Sequence, residues 1–534
     1  MRARIFFALA LVAGLARPLT AQPRPKEESK KTEKGEKAEK TEKSEKGEEK
    51  SSESSKKGSP VAQQSVTQHT VVIGGVTVNY TATAGTLILR DEKDEPRASV
   101  GYTAYTKRDV SDLSRRPITF AYNGGPGSSS VWLHMGALGP RRIVTTDAAH
   151  TLPAPYKVVD NADSPLDKTD LVLIDPVGTG LSLPVGEAKE KDFWGVDQDI
   201  AAVSQFIKQY VSDNGRWNSP KYLLGESYGT TRSAGVVDYL QTRDNMAFNG
   251  VILVSVALDI ESLFPWTGND RPYALFLPSF AACAWYHKVL PSQPASLDAL
   301  LAEARSYALG PYSDALMKGD TLSDAERRAV AEKLHQFTGL SAEYIEKAKL
   351  RVSESQFSQE LLREHHVTIG RLDARFTGVT FDLLGENAEY DPQSAAISAA
   401  FTAAFLDYLH RELKFGDGKT YVVTSDKAFP AWDWKHKIGD SFFPQPVANT
   451  GPDMAHALGY NPNLRLLVLN GIYDMATPIL ATEFMMSHLN LEKTLRDHVE
   501  MKYYPAGHMM YINEPSLKSF KADVAAFIDR TDRL

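Results

Sequence analysis

The residues best suited to chemistry surround a serine at position 227. Ser227 lies in the stretch Gly225-Glu226-Ser227-Tyr228-Gly229, with a glycine two residues before it and another two residues after it. Apolar residues precede this stretch and helix-compatible residues follow it, so the serine is expected at a sharp strand-to-helix turn. Side chains at the flanking glycine positions would collide with such a turn. Because the turn exposes the hydroxyl beside backbone N–H groups, the pattern predicts Ser227 as a nucleophile.

A serine nucleophile requires a base, and the base requires an acid that orients it. Asp474 follows the apolar run at residues 464–470, and His508 follows a strand-like run at residues 499–504. Both are therefore expected on loops at the carboxyl edge of a parallel sheet, and the chain order of serine, aspartate and histidine is that of α/β hydrolases. Each residue alone has an ordinary structural explanation, since an aspartate after a strand often caps a helix. Together they favour a triad of Ser227, His508 and Asp474.

Strand and helix patterns place these residues in one large α/β domain. Two alternating runs joined by Gly74-Gly75 predict a hairpin, so the domain is expected to begin with antiparallel strands. Strand runs then alternate with helical stretches, which is typical of a mostly parallel sheet. Between about residues 259 and 446 the alternation stops, and helices are predicted at about 295–309, 322–337, 342–349 and 395–412. We interpret this segment as a helical cap inserted over the carboxyl edge of the sheet, with an independently folding helical domain as the alternative.

The first 60 residues precede this domain and differ from it in composition. Two arginines and a short apolar run predict a secretory signal peptide at residues 1–21, and the run is too short to span a membrane permanently. Residues 22–60 are mainly Lys, Glu, Ser, Thr and Gly, which predicts a disordered, solvated linker. The catalytic domain is then expected to comprise residues 61–534. The protein is predicted to be exported, to the periplasm or as a secreted enzyme.

Overall composition excludes several classes of function. The net charge of −7 over 534 residues argues against a general nucleic-acid-binding protein, because neutralising phosphates requires clustered Lys and Arg. Cys283 is the single cysteine, so neither an intrachain disulfide nor a metal cage of thiolates is possible. We expect no metal and no cofactor.

Several blocks of the sequence resemble serine carboxypeptidases of peptidase family S10, which have the α/β-hydrolase fold. The blocks are residues 123–129, 174–180 and 225–229, together with the stretches around Asp474 and at 506–509. The resemblance implies a nucleophile at Ser227, a base at His508 and an acid at Asp474. It also implies an oxyanion hole formed by the backbone N–H groups of Gly125 and Tyr228.

The resemblance further implies a site for the free C-terminal carboxylate of a peptide substrate. Asn123, the N–H of Gly124 and the side chain of Glu226 would hold that carboxylate. Two bare carboxylates at hydrogen-bond distance repel each other, so the pair must share a proton. Activity is therefore expected to be highest at acid pH.

Two positions depart from the family pattern. The family commonly has a second glutamate two residues before a Gly-Pro pair, and here that position is Ala137, before Gly139-Pro140. The pair of glutamates that shares a proton in typical members is therefore incomplete. Ser128 occupies a position where eukaryotic members usually have a cysteine, which agrees with the single cysteine of this chain.

The sequence thus predicts a serine-type carboxypeptidase that releases C-terminal residues through an acyl-enzyme. An esterase, an acyltransferase and a proline-type aminopeptidase of the same fold are the enzymatic alternatives, although the glycine loop of the aminopeptidases usually begins with His rather than with Asn123. A non-catalytic binding protein on a hydrolase scaffold is the alternative from another class.

Overall fold

The protein is built on a large central sheet, which we describe from a computed structural model over residues 60–439 and 441–532. Within these ranges the chain forms one compact unit. The predicted signal peptide at 1–21 and all but the last residue of the predicted linker at 22–60 lie outside the described residues. In the ranges described, no helix has both the length and the apolar character needed to cross a membrane.

Strands and helices are interspersed along the chain. The strands are β1 Gln64–Ile73, β2 Val76–Arg90, β3 Pro96–Lys107, β4 Ile118–Tyr122, β5 Arg141–Ile143, β6 Val158–Asp160, β7 Asp170–Ile174, β8 Leu183–Pro184, β9 Lys221–Ser227, β10 Gly250–Val256, β11 Val367–Ile369, β12 Thr377–Val379, β13 Arg465–Gly471 and β14 Val499–Tyr504. The α-helices are α1 Val131–Leu133, α2 Val196–Asp213, α3 Tyr228–Arg243, α4 Arg271–Tyr286, α5 Leu297–Tyr307, α6 Ser313–Lys318, α7 Asp324–Thr338, α8 Ala342–Lys347, α9 Glu354–Glu360, α10 Pro392–Arg411, α11 Ala428–Ala431, α12 Gly451–Tyr460, α13 Ile479–Ser487, α14 Lys493–Arg496 and α15 Glu514–Thr531.

The central sheet has the strand order β1-β2-β3-β7-β4-β9-β10-β13-β14, and β8 pairs with β3. Strands β1, β2, β3 and β7 pair in antiparallel fashion. From β7 onward the strands run parallel. The predicted fold, a mostly parallel sheet that begins with antiparallel strands, is confirmed. The carboxyl ends of β4, β9, β13 and β14 meet at one edge of the sheet, where ligands bind in open α/β folds.

Helices cover both faces of this sheet. Val251 and Leu253 of β10 belong to a core that includes side chains of α2 and α3. Their neighbours Ile252 and Val254 belong to a second core, with side chains of α10 and α15. Alternate residues of a strand point to opposite faces, so both faces of the central strands are buried. This is why these strands appear in the sequence as continuous apolar runs.

The hairpin predicted at Gly74-Gly75 joins β1 to β2. Ile73 pairs with Val76, and the two glycines between them have φ values of 57° and 79°. A two-residue turn with positive φ at both positions matches the twist of the flanking strands. Glycine adopts this conformation without a steric penalty, which explains both residues.

Helices α4 to α12 and the small β11-β12 sheet lie between β10 and β13. Helices α5, α7, α8 and α10 match the four predicted helices of this segment to within a few residues. Helix α4 has no counterpart among the predictions, because it contains Pro278 and an internal proline usually ends a helix. The assignment of residues 259–446 as an inserted cap stays a prediction.

Candidate active site

Ser227 is the last residue of β9, and α3 begins at the next residue, Tyr228. The backbone of Ser227 has φ 60° and ψ −128°, a conformation that residues with a side chain rarely adopt. A Cβ at Gly225 would lie 2.1 Å from the carbonyl oxygen of Gly229, and a Cβ at Gly229 would lie 2.9 Å from that of Tyr122. Both glycines are therefore required by the close approach of strand, helix and neighbouring loop.

The glycine-rich loop after β4 lies directly against this turn. A Cβ at Gly124 would lie 2.5 Å from the backbone nitrogen of Tyr228 and 2.7 Å from the carbonyl oxygen of Glu226. Gly125 has φ 103°, so it too favours glycine. Tyr228 is the first residue of α3, so its N–H has no acceptor within the helix. Gly125 and Tyr228 line the same cavity, as the two donors of an oxyanion hole must.

Arg232 of α3 is fully buried and joins the glycine loop to the helices. Its Nε donates to Asp199 of α2 at 2.7 Å, and its Nη1 donates to the carbonyl oxygen of Asn123 at 2.8 Å. The guanidinium also lies 4.9 Å from the ring centroid of Tyr122 and 5.4 Å from that of Tyr228. A paired and stacked cation of this kind fixes the position of the loop.

Asp474 and His508 follow the neighbouring strands β13 and β14. The Nδ1 of His508 lies 2.8 Å from Oδ2 of Asp474 and donates a hydrogen bond to it. Asp474 is fully buried and also accepts from the N–H groups of Ala476 and Thr477, at 2.7 and 2.9 Å, and from the Thr477 hydroxyl at 2.6 Å. These bonds fix the carboxylate and leave Nε2 of His508 available to the cavity that Ser227 also lines.

Burial acts to lower the pKa of His508, but the carboxylates of Asp474 and Glu226 more than offset it, so the pKa lies above 6.5. Arg371 opposes them weakly. An imidazole stabilised in its charged form by a buried aspartate is suited to accept a proton from a hydroxyl.

Glu226, the residue before Ser227, is 3% exposed and accepts a hydrogen bond from Nδ2 of Asn123 at 2.8 Å. The Oδ1 of Asn123 accepts from the N–H of Leu133 at 3.0 Å, which fixes the orientation of the amide. Burial raises the pKa of Glu226 to about 7, although His508, Tyr511 and Asn123 act to lower it. The Glu226 carboxyl is therefore mostly neutral below about pH 7, and a neutral carboxyl can donate a hydrogen bond to a bound carboxylate.

Residues 371–375, which we call the strap, hold the histidine loop. The carbonyl oxygen of Leu372 accepts from the N–H of His508 at 2.6 Å. Oδ2 of Asp373 accepts from the N–H of Gly507 at 3.0 Å. A Cβ at Gly507 would lie 2.4 Å from Cβ of Asp373, so the strap and the loop pack in direct contact.

The strap also binds the aspartate loop. The N–H of Ala374 donates to the carbonyl oxygen of Tyr473 at 3.1 Å, and the N–H of Met475 donates to that of Arg371 at 3.0 Å. The strap thus connects the two loops that carry His508 and Asp474. The local sequence does not predict the strap, because its hydrogen-bond partners lie about 100 or more residues further along the chain.

The site opens into a cavity of about 500 Å³. Of the predicted site residues, Asp474 is buried behind His508 and the others line the cavity: Asn123, Gly124, Gly125, Glu226, Ser227, Tyr228 and His508. Further lining residues that the sequence did not indicate are Trp132, Ile260, Leu263, Phe264, Arg371, Ile397, Phe429 and Trp434. Ser394, Ser398, Thr424 and Thr477 also line the cavity, but most of its walls are apolar, which is typical of a pocket that binds an organic ligand.

Ser128, the second departure from the family pattern, supports one of these walls. Its hydroxyl donates to the carbonyl oxygen of Ser129 at 3.0 Å and accepts from Nε1 of Trp132 at 3.0 Å. The hydroxyl thereby helps to orient the Trp132 ring, which lines the cavity.

The sheet order and the strand-turn-helix at Ser227 define an α/β hydrolase. A solved structure with this fold is that of a prohormone-processing carboxypeptidase from Saccharomyces cerevisiae, with a TM-score of 0.54, 14% identity, and coverage of 84% of this chain and 92% of that one. At this identity the similarity shows a shared fold.

Two further solved structures are less similar. A proline iminopeptidase from Mycobacterium smegmatis has a TM-score of 0.33, 15% identity, and coverage of 87% of this chain and 99% of that one. A peroxisomal α/β-hydrolase from Saccharomyces cerevisiae has a TM-score of 0.32, 10% identity, and coverage of 88% and 89%.

The family model described as serine carboxypeptidase matches residues 84–258. The matched range includes the Asn123 loop and Ser227 and ends before Asp474 and His508. A search of curated proteins finds no match. The family match confirms the predicted resemblance, and together with the fold it supports the prediction of a serine-type carboxypeptidase, a hydrolase of peptidase family S10.

Proposed function

We propose that the protein removes residues from the C-terminus of peptides through an acyl-enzyme on Ser227. The observation that carries the proposal is that Ser227, His508 and the hydrogen-bonded pair of Glu226 and Asn123 line one cavity. Because Glu226 directly precedes Ser227, a substrate carboxylate held by Glu226 has its last peptide bond close to the Ser227 hydroxyl. This arrangement favours the release of single C-terminal residues.

In the proposed mechanism, Nε2 of His508 takes the proton of the Ser227 hydroxyl as Oγ attacks the scissile carbonyl carbon. Asp474 stabilises the resulting imidazolium. The N–H groups of Gly125 and Tyr228 stabilise the oxyanion, and one such donor contributes about 3 to 4 kcal/mol. His508 then returns the proton to the leaving amine. A water molecule, deprotonated by His508, then attacks the acyl carbon, the bond to Oγ of Ser227 breaks, and His508 returns the proton to Oγ as the shortened peptide leaves.

Two titrations set the proposed pH range. Glu226 has a pKa of about 7, so it is neutral on the acid side and anionic above it, where it repels the substrate carboxylate and KM rises. His508 must be neutral to act as a base, and its pKa above 6.5 makes kcat fall in acid. Once Glu226 is protonated, it no longer raises the pKa of His508, so that pKa is lower in acid than it is when Glu226 is charged. Free-acid substrates should therefore bind best on the acid side of pH 7, while protonation of His508 sets the lower pH limit of turnover.

The same proposal extends to location. The signal peptide predicted at residues 1–21 would export the enzyme, so its substrates would be peptides outside the cytoplasm.

A peptide and its C-terminal amide should be hydrolysed at different rates. At pH 6 we expect kcat/KM for the free acid to exceed that for the amide roughly 10- to 150-fold, since a hydrogen bond to a charged group contributes about 1.5–3 kcal/mol. Mass spectrometry of the products should show loss of one C-terminal residue at a time. Equal rates on both peptides would contradict carboxypeptidase activity, and release of N-terminal residues would favour an aminopeptidase.

The variant Glu226→Gln should remove the alkaline rise of KM for free-acid peptides. Glutamine stays neutral between pH 5 and 8, whereas Glu226 loses its proton near pH 7. KM measured across this range should therefore be flat in the variant and rise about tenfold per pH unit above 7 in the wild type.

Asp175→Asn is the matched control for that measurement. Burial raises the pKa of Asp175 to about 6, but its carboxylate binds the N–H of Ser130 and the hydroxyl of Tyr421, both at 2.9 Å, and it does not line the cavity. This variant should keep the alkaline rise of KM. A rise that persists in Glu226→Gln would show that another group binds the substrate carboxylate.

A further inference from the structure

Two buried polar atoms have no hydrogen-bond partner, one on a residue that lines the substrate cavity and one on a residue outside that lining. They are Oε2 of Glu226 and the hydroxyl of Tyr511, and neither has a partner among the residues that the structure describes. Glu226 is 3% exposed and Tyr511 is 2% exposed. A buried polar atom without a partner is costly, so another protein group, a water molecule or a ligand is expected to complete each of them.

Tyr511 is positioned by the turn that follows the catalytic histidine and by its contact with Gly136. It lies in the 3-10 turn Met510–Ile512, three residues after His508. Its ring packs on Gly136, where an added Cβ would lie 2.5 Å from Cε2 of the ring. Gly136 therefore leaves the space that the tyrosine ring fills.

The electrostatic environment of Glu226 includes several groups. Besides burial, the groups that affect its pKa are His508, Tyr511 and Asn123, which lower it, and Asp474, which raises it. Tyr511 and Glu226 affect each other's pKa, and among the described residues neither the Tyr511 hydroxyl nor Oε2 of Glu226 has another hydrogen-bond partner. Burial and the Glu226 carboxylate raise the pKa of Tyr511 well above 10, so its hydroxyl keeps its proton.

We infer that Tyr511 is a positioning residue of the substrate-carboxylate site, where its hydroxyl donates to Oε2 of Glu226. Tyr511 does not line the cavity, so it acts through Glu226 rather than by touching the substrate. The inference rests on the proposed carboxypeptidase function.

A tyrosine partner for Glu226 affects how many protons titrate at the substrate-carboxylate site. A pair of carboxyls titrates in two coupled steps. A tyrosine that never loses its proton leaves Glu226 as the one carboxyl that titrates at the site. The alkaline rise of KM should therefore follow a single proton, with a midpoint that Tyr511 holds lower than burial of Glu226 alone would set.

The test is Tyr511→Phe, assayed with a free-acid peptide and its amide from pH 5 to 8. Loss of the hydroxyl removes a group that lowers the pKa of Glu226, so the midpoint of the KM rise should move to higher pH by about half a unit or more. At pH 5.5 the KM of the free acid should increase about three- to tenfold, the effect of one lost hydrogen bond. The value of kcat, and kcat/KM for the amide, should change less than twofold.

Tyr222→Phe is the matched control, because Tyr222 is also buried but its hydroxyl contacts Thr531 at 2.8 Å, away from the cavity. It should behave as the wild type. A second variant, Gly136→Ala, should displace the Tyr511 ring and shift KM as Tyr511→Phe does.

An unchanged KM midpoint in both Tyr511→Phe and Gly136→Ala would overturn the inference, as would an equal loss of rate on the free acid and the amide. A wild-type enzyme that does not distinguish acid from amide would instead overturn the proposed function itself.

Discussion

Replacing Ser227 with alanine should abolish peptide hydrolysis while leaving the protein folded. We expect kcat to fall by about 10⁶-fold, since the nucleophile of a triad is lost and the remaining groups cannot substitute for it. Alanine meets the same strain at φ 60° as serine does, so the melting temperature should change by only a few degrees. Hydrolysis of a free-acid peptide, covalent labelling with a fluorophosphonate probe and thermal unfolding measure the three quantities.

Ser204→Ala is a suitable control for this experiment. Ser204 is fully buried in α2, and its hydroxyl has no partner among the described residues and does not line the cavity. Its replacement should leave labelling and turnover intact. Substantial hydrolysis by Ser227→Ala would refute the assignment of the nucleophile. A wild-type protein that the probe does not label would favour a non-catalytic binding protein.

The sequence predicts those parts of the site whose geometry is determined locally. Gly225 and Gly229 are recognisable because the turn at Ser227 leaves no room for a side chain at either position. The hairpin at Gly74-Gly75 is predictable for a similar reason, since two adjacent positive φ values exclude most other residues. The buried parallel strands are predictable because both their faces must be apolar.

The parts that depend on distant contacts were not predictable. Asp373 contacts Gly507 across more than a hundred residues, and nothing in its local sequence distinguishes it from a surface aspartate. The position of Tyr511 depends on the space left by Gly136, which is far from it in the chain, so the sequence around Tyr511 does not indicate its role. Helix α4 forms despite Pro278 because most of its residues are buried, so packing outweighs local helix propensity.

Asp373 joins the strap to the triad, and its replacement by alanine should reduce both stability and turnover. Asp373 is 1% exposed and is paired with the guanidinium of Arg375 at 2.7 Å, which in turn contacts Asp147 at 2.9 Å. Removal of one partner of a buried ion pair costs about 3–5 kcal/mol of unfolding free energy. Loss of the Gly507 contact should also displace His508, and a displacement near 1 Å lowers kcat about 100-fold. KM should change little, because Asp373 does not line the cavity.

Arg375→Gln separates the two effects. It breaks the same ion pair and should lower the unfolding free energy similarly, but Asp373 keeps the backbone N–H groups of Gly507 and of residue 375, each at 3.0 Å. The histidine loop therefore stays in place, and kcat measured well below the melting temperature should remain within about threefold of the wild type. If both variants lose kcat equally, the strap contributes only stability. If Asp373→Ala alone loses kcat, a single carboxylate in the segment between β10 and β13 sets the position of the histidine on which proton transfer depends.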